Sequence, residues 1–159
     1  MSRSFVFGGR WHVPAPPAVV HDVLVDLEHY PRWWPQVVAV ASLGPDDARV
    51  LCRSVLPYTL DLVLHAADRS ASRLEVEVSG DLHGTVGFEL TPTDGGTRLD
   101  LDQRVGVGGL LGLAAYVASP VLRWNHHRMM AGCVAGLTAR ATAQAMQNSL
   151  PSGSCMTTP

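Results

Sequence analysis

Residues 13–37 read VPAPPAVVHDVLVDLEHYPRWWPQV, and the fold turns on how this stretch is read. The prolines of PAPP end any strand that precedes them, and Pro17 suits the first position of a helix, where a missing N–H costs nothing. From 17 to 30, Val20, Val23, Leu24 and Leu27 recur at helical spacing, with Asp22, Asp26 and His29 on the other side. Pro31 opens a second short helical turn and Pro35 closes it. Tyr30, Trp33 and Trp34 stand together at this turn in a chain with only ten aromatic residues. Either they plug the mouth of an ordinary core, or they wall a place where something apolar binds.

Strand signals lie on both sides. Upstream, SFVFGGRWHV (4–13) places Phe5, Phe7 and Trp11 on one face. Downstream come VVAVASL (37–43), RVLCRSVL (49–56), YTLDLVLHA (58–66), RLEVEVSG (73–80), GTVGFELTP (84–92) and TRLDLDQRVGV (97–107). In the fifth strand Arg73, Glu75 and Glu77 alternate with Leu74, Val76 and Val78, which is an antiparallel strand dry on one face and wet on the other. Asp94-Gly95-Gly96 supplies a hairpin turn. The dry faces so defined are Val50, Cys52 and Ser54; Leu60, Leu62 and Leu64; Leu74, Val76 and Val78; Val86, Phe88 and Leu90; and Leu99, Leu101, Gln103 and Val105.

The last third is helical, from about Leu110 to Gln147, with a kink expected at Pro120. Steps of 100° from Val121 put Leu122, His126, Met130, Cys133 and Leu137 on one face. An open sheet with one dry face must be covered, and only this helix is long enough to cover it. The expectation is a single domain over 1–148, followed by a disordered polar tail over 149–159.

Composition narrows the function. The chain has 159 residues, 47% of them hydrophobic and 16% charged, which is globular and enough for one sizeable core. A net charge of −2 without a basic stripe argues against nucleic acid as a partner. All twelve basic residues are arginine, which reads as coding bias in a GC-rich genome. Three unpaired-looking cysteines (Cys52, Cys133, Cys155) and no leader-like apolar run point to a reduced, cytoplasmic protein. Residues 105–122 are uncharged, but four glycines, a serine and a proline dilute them, so no permanent membrane span is expected.

The order of elements, with VPAPPAVVHDVLVDLEHYPRWWPQV (13–37), DGGTRLDLD (94–102) and RWNHHRMM (123–130) in sequence, resembles the START-like, or SRPBCC, superfamily of polyketide cyclase/dehydrase-like and lipid-binding proteins. The resemblance runs from about Phe5 to Arg140. It implies an α+β helix-grip fold: a seven-stranded antiparallel sheet wrapped around the long C-terminal helix, with two short helices after the first strand. It further implies a deep apolar cavity between sheet and helix, with Tyr30, Trp33 and Trp34 near one end.

The cavity residues expected on this basis are Tyr30, Trp34, Ser54, Leu62, Val76, Phe88, Leu101, Gln103, His126, Met130, Cys133 and Leu137. Nearly all are apolar, and Ser54, Gln103 and His126 are the polar exceptions. A buried polar side chain without a partner costs roughly 1–3 kcal/mol, so these must meet each other, water or a ligand. His126 is the candidate for acid–base chemistry because an imidazole donates, accepts or shuttles a proton near neutral pH. His126 and His127 project about 100° apart and cannot chelate one ion, so no metal is expected, and no cofactor-binding loop is present. No Gly-x-Ser-x-Gly or activated cysteine motif appears.

Three classes remain. The favoured one is carriage or sequestration of an apolar small molecule such as a lipid, isoprenoid or polyketide, because the inferred lining is dry. The second is a cyclase- or aromatase-like enzyme using His126, with Gln103 and Ser54 positioning carbonyls. The third is an interaction module with a self-filled core; under any of the three the protein is expected to be a monomer or homodimer. Residues 106–120 are expected to form a movable lid, touching a membrane or donor protein only transiently.

Overall fold

The period-two alternation of the first two thirds becomes strand almost wherever it occurs. The computed structural model describes residues 3–53, 58–107 and 119–150. In it β1 (Arg3–Val13) leads to α1 (Pro17–Val25), a single 3₁₀ turn (Leu27–His29) and α2 (Tyr30–Trp33). Then come β2 (Val37–Ser42), β3 (Asp47–Arg53), β4 (Thr59–Arg69), β5 (Arg73–Gly80), β6 (His83–Thr93), β7 (Gly96–Val107) and the helix α3 (Ser119–Ser149).

The seven strands form one antiparallel sheet in the order β1-β7-β6-β5-β4-β3-β2. Strands β2 to β7 pair with their sequence neighbours, and β1 crosses over to β7, from Arg3↔Val107 to Val13↔Thr97. The turn at Asp94-Gly95 is a two-residue hairpin in which Gly95 takes φ +84°, a left-handed conformation that glycine adopts without strain. Register shifts between Val37 and Ala39, and between Ala66 and Asp68, bend the sheet where it curls. The α+β helix-grip arrangement expected from the sequence is the one observed.

One local expectation differs, and another falls partly on residues not described: the described part of α3 begins at Ser119, and residues 110–118 of the expected helix, before the kink expected at Pro120, lie outside the described residues. The chain between α1 and α2 is a 3₁₀ turn, tightened ahead of Pro31. Ser54, most of the expected lid over 106–120 and residues 151–159 of the expected tail lie outside the described residues, whereas Ser149 still belongs to α3.

The opening aromatic cluster has a clear structural job. Gly132 and Gly136 make the outline of α3 flat where the Trp33–Gln36 segment crosses it. A Cβ at Gly136 would overlap the carbonyl oxygen of Trp33, and one at Gly132 would overlap the Gln36 side chain. Trp34 Nε1 donates to the Met129 carbonyl on the same helix at 3.1 Å. Tyr30 packs edge-on against Trp33 at 4.7 Å between centroids and donates its hydroxyl to the Leu24 carbonyl. Turn, α1 and helix are thereby clamped together.

Below this clamp the inward face of the middle of α3 is packed solid. Cys133, Leu137 and Ala141 are inaccessible and share one core with Val19, Val20 and Val23 of α1 and Leu99 of β7. α1 also contacts β6 and β7, so it fills the space between sheet and helix at this end. The space at the other end stays open.

Candidate functional site: the cavity between sheet and helix

A cavity of about 450 Å³ lies between the sheet and the N-terminal half of α3, within the range of small-molecule sites, about 300–1,000 Å³. Leu60, Leu62 and Leu64 of β4, Leu74, Val76 and Val78 of β5, Val86 and Phe88 of β6, and Leu101, Gln103 and Val105 of β7 line the sheet side. Most of the β4, β5 and β6 side chains are only half-buried although they face the interior. The surface they keep is the surface of the cavity. Asn125, His126, Met129 and Met130 line the helix side, with Tyr30 and Trp34 at the clamp. Val25, Tyr58 and Val121 also line it and remain 38%, 38% and 45% exposed, which marks where the cavity meets solvent.

Of the residues expected from sequence, Tyr30, Trp34, Leu62, Val76, Phe88, Leu101, Gln103, His126 and Met130 are brought together on this wall. Cys133 and Leu137 are not: α1 occupies the space they would have faced, and they lie in solid core. Trp33 likewise lies in that core rather than on the wall. Ser54 is outside the described residues. Cys52 lines the wall as an inert thiol, its pKa pushed up to about 11 by burial.

The polar exceptions cluster. His126 Nε2 stands 3.0 Å from Gln103 Oε1, and its ring stacks on Phe7 of β1 at 3.9 Å between centroids. In this orientation Nε2–H donates to Gln103, which leaves Nδ1 as an acceptor. Sequence reasoning missed Asn125. It is 6% exposed, lines the cavity, and its Oδ1 has no hydrogen-bond partner; its Nδ2 meets only the Met129 sulfur, at 3.8 Å. The one signal available was a polar residue beside His126, some 60° outside the expected face.

Burial first, and the neighbouring His127 second, push the His126 pKa down to about 4. The folded state therefore prefers the neutral ring. Its contribution to stability is complete above the unfolded value of 6.5 and is lost as pH falls from there towards 4. Because the ring is only partly buried, solvent screening reduces the effect to about 1–2 kcal/mol. His126→Phe keeps a ring against Phe7 and removes the titration. Urea unfolding at pH 7 and pH 4.5 should show the wild type losing about 1–2 kcal/mol more than the variant. Parallel losses would place the acid sensitivity elsewhere.

Charged residues on the lining are compensated. Arg69 pairs with Asp46 at 3.0 Å, Glu75 pairs with Arg73, and Asp68 accepts the Ser70 N–H at 2.8 Å. Among the described residues no group of three or more metal-ligating side chains occurs, and no helix is long and apolar enough to cross a membrane.

An antiparallel sheet closed over a long C-terminal helix is shared with known proteins. Residues 7–143 match the family described as polyketide cyclase/dehydrase and lipid transport. The chain belongs to that family. No curated protein matches the sequence. Among solved structures, a protein of Thermus thermophilus superposes with a TM-score of 0.76 at 16% identity, covering 89% of this chain and 99% of its own. The Zhui aromatase/cyclase of a Streptomyces species gives 0.73 at 15% identity, covering 89% and 96%. A START superfamily protein of Mycobacterium smegmatis gives 0.73 at 16%, covering 87% and 98%. At such identities these neighbours establish the shared fold, and what each acts on stays with each.

Proposed function

We propose that the protein binds an apolar small molecule, a lipid, isoprenoid or polyketide, inside the cavity, for carriage or sequestration. The observation that carries this reading is an aliphatic wall of about 450 Å³ that the chain's own side chains leave unfilled, with an apolar mouth at Val25, Tyr58 and Val121. Burial of about 300 Å² of ligand apolar surface gives a gross term near 7 kcal/mol, equivalent to a Kd of about 10 μM before association costs weaken it. The free, buried thiols of Cys52 and Cys133 accord with a reducing cytoplasm.

Titration with an uncharged environment-sensitive dye, N-phenyl-1-naphthylamine, tests the reading. Binding should be 1:1 and blue-shifted. Phe88→Ala, which removes a ring from the wall, should weaken it about five-fold, and Glu77→Ala, on the exposed side of β5, should leave it unchanged. Equal effects from both would mean that the dye reports a surface patch.

The cluster of Gln103, Asn125 and His126 favours a second reading, a cyclase- or aromatase-like enzyme. It ranks below binding because an imidazole with a pKa of about 4 is a weak base at neutral pH. His126→Leu separates the two. A carrier keeps or tightens its hold on a hydrocarbon probe, whereas an enzyme loses turnover of its substrate while retaining that binding.

A further inference from the structure

One arginine faces the cavity because its strand slips by a residue. Leu60, Leu62, Leu64 and Ala66 of β4 line the wall, and strict alternation from them would turn Arg69 outward. The register shift between Ala66 and Asp68 inserts one extra residue, so Arg69 pairs with Leu74 and shares its inward face. The guanidinium then reaches the connection between β2 and β3. Nη1 donates to Asp46 Oδ1 at 3.0 Å, and Nη2 donates to the Pro45 carbonyl at 2.9 Å. The Arg69 carbonyl lies 3.3 Å from His21 Nε2, which ties the same residue to α1.

The position of this clasp is the second observation. Val25, Leu27, Asp46 and Arg69 border both the main cavity and a smaller, more polar cleft of about 210 Å³ beside the β2–β3 connection. They are the partition between the two spaces. The connection has room to move, because Leu43, Gly44, Pro45 and Asp46 are exposed and a Cβ at Gly44 would meet nothing within 4 Å. Main-chain bonds hold its base, from the Leu43 N–H to the Asp47 carbonyl and from the Ala66 N–H to that of Asp46. The Arg69 side chain fastens the Pro45–Asp46 corner through an ion pair about half exposed on both sides, weak enough to break and re-form readily.

Resting on the cavity-binding reading above, we propose that the Arg69 clasp is a gate at the α1 end of the cavity. When the guanidinium releases Pro45 and Asp46, the cavity opens into the cleft, and the apolar ligand enters and leaves past Val25 and Leu27. The gate sets the rate of exchange and takes no part in holding the ligand.

Stopped-flow mixing of N-phenyl-1-naphthylamine with the wild type and with Arg69→Ala tests the gate, because a gate and a ligand contact change different constants. Loss of the gate should raise kon and koff together, by about five-fold, and leave Kd within about two-fold of wild type. Asp46→Asn, which removes the partner's charge, should move both rates the same way by a smaller factor. Arg49→Ala is the control: it breaks a comparably exposed ion pair, with Asp61, on the outer face of β3 and β4, and should leave both rates unchanged. Wild-type rates in Arg69→Ala would overturn the gate and leave the cavity reading intact. A rise in koff alone, with a weaker Kd, would make Arg69 a contact of the ligand and overturn the gate as well. Equal acceleration in Arg49→Ala would mean a general loosening of the sheet and would also overturn it. Failure of the dye to bind the wild type would overturn the cavity reading and this inference together.

Discussion

Gly136→Ala should destabilise the protein by about 2–4 kcal/mol, although the same change in an exposed helix interior ordinarily stabilises by about 1 kcal/mol. The reversal of sign comes from one contact. The new methyl would overlap the Trp33 carbonyl oxygen, a backbone atom that cannot rotate aside, so α2 and the turn after it must lift from α3. With that movement the Trp34–Met129 hydrogen bond and the packing of Trp33 are weakened together. Gly44→Ala is the control, because a Cβ there meets nothing within 4 Å and should change stability by less than about 0.5 kcal/mol. Urea denaturation of both variants decides the matter. A neutral or stabilising Gly136→Ala would mean that the aromatic turn is not clamped to the helix.

The second large effect separates packed core from cavity wall. Leu137→Ala removes a side chain that is inaccessible and held between α1 and the sheet, so it should cost about 3–4 kcal/mol in lost transfer energy and new void. Leu62→Ala makes the same chemical change at a residue that already borders empty space. Its methyl groups have fewer partners to lose, and the change enlarges a cavity instead of creating one. About 1 kcal/mol is expected there. Similar losses at both positions would mean that the space beside Leu62 is filled by the protein itself, which is the interaction-module reading.

That contrast also shows where the sequence stopped being informative. The strands were legible because Leu74, Val76 and Val78, or Leu99 and Leu101, alternate with polar neighbours, and a period of two has one structural solution. The long helix and its partner face were legible for the same kind of reason. The wrong assignments were Cys133 and Leu137. A helical wheel shows that they face inward but not what they face, and here α1 stands between them and the cavity. Asn125 was missed because it lies outside the apolar arc of the helical wheel, and no local pattern announces that a polar residue there is buried. Gly132 and Gly136, four apart, do signal a close approach, yet the approaching Trp33 lies about a hundred residues away in sequence.

The most direct test of an apolar binding cavity is to fill it. Val76→Trp places an indole in the middle of the wall between β4 and β6, where space already exists to receive it. Titration of N-phenyl-1-naphthylamine should show affinity falling at least about ten-fold relative to wild type, with a melting temperature equal or higher because the void is replaced by contacts. Unchanged dye affinity in a folded Val76→Trp variant would contradict the account, since the bound molecule would then be somewhere other than between the sheet and the helix.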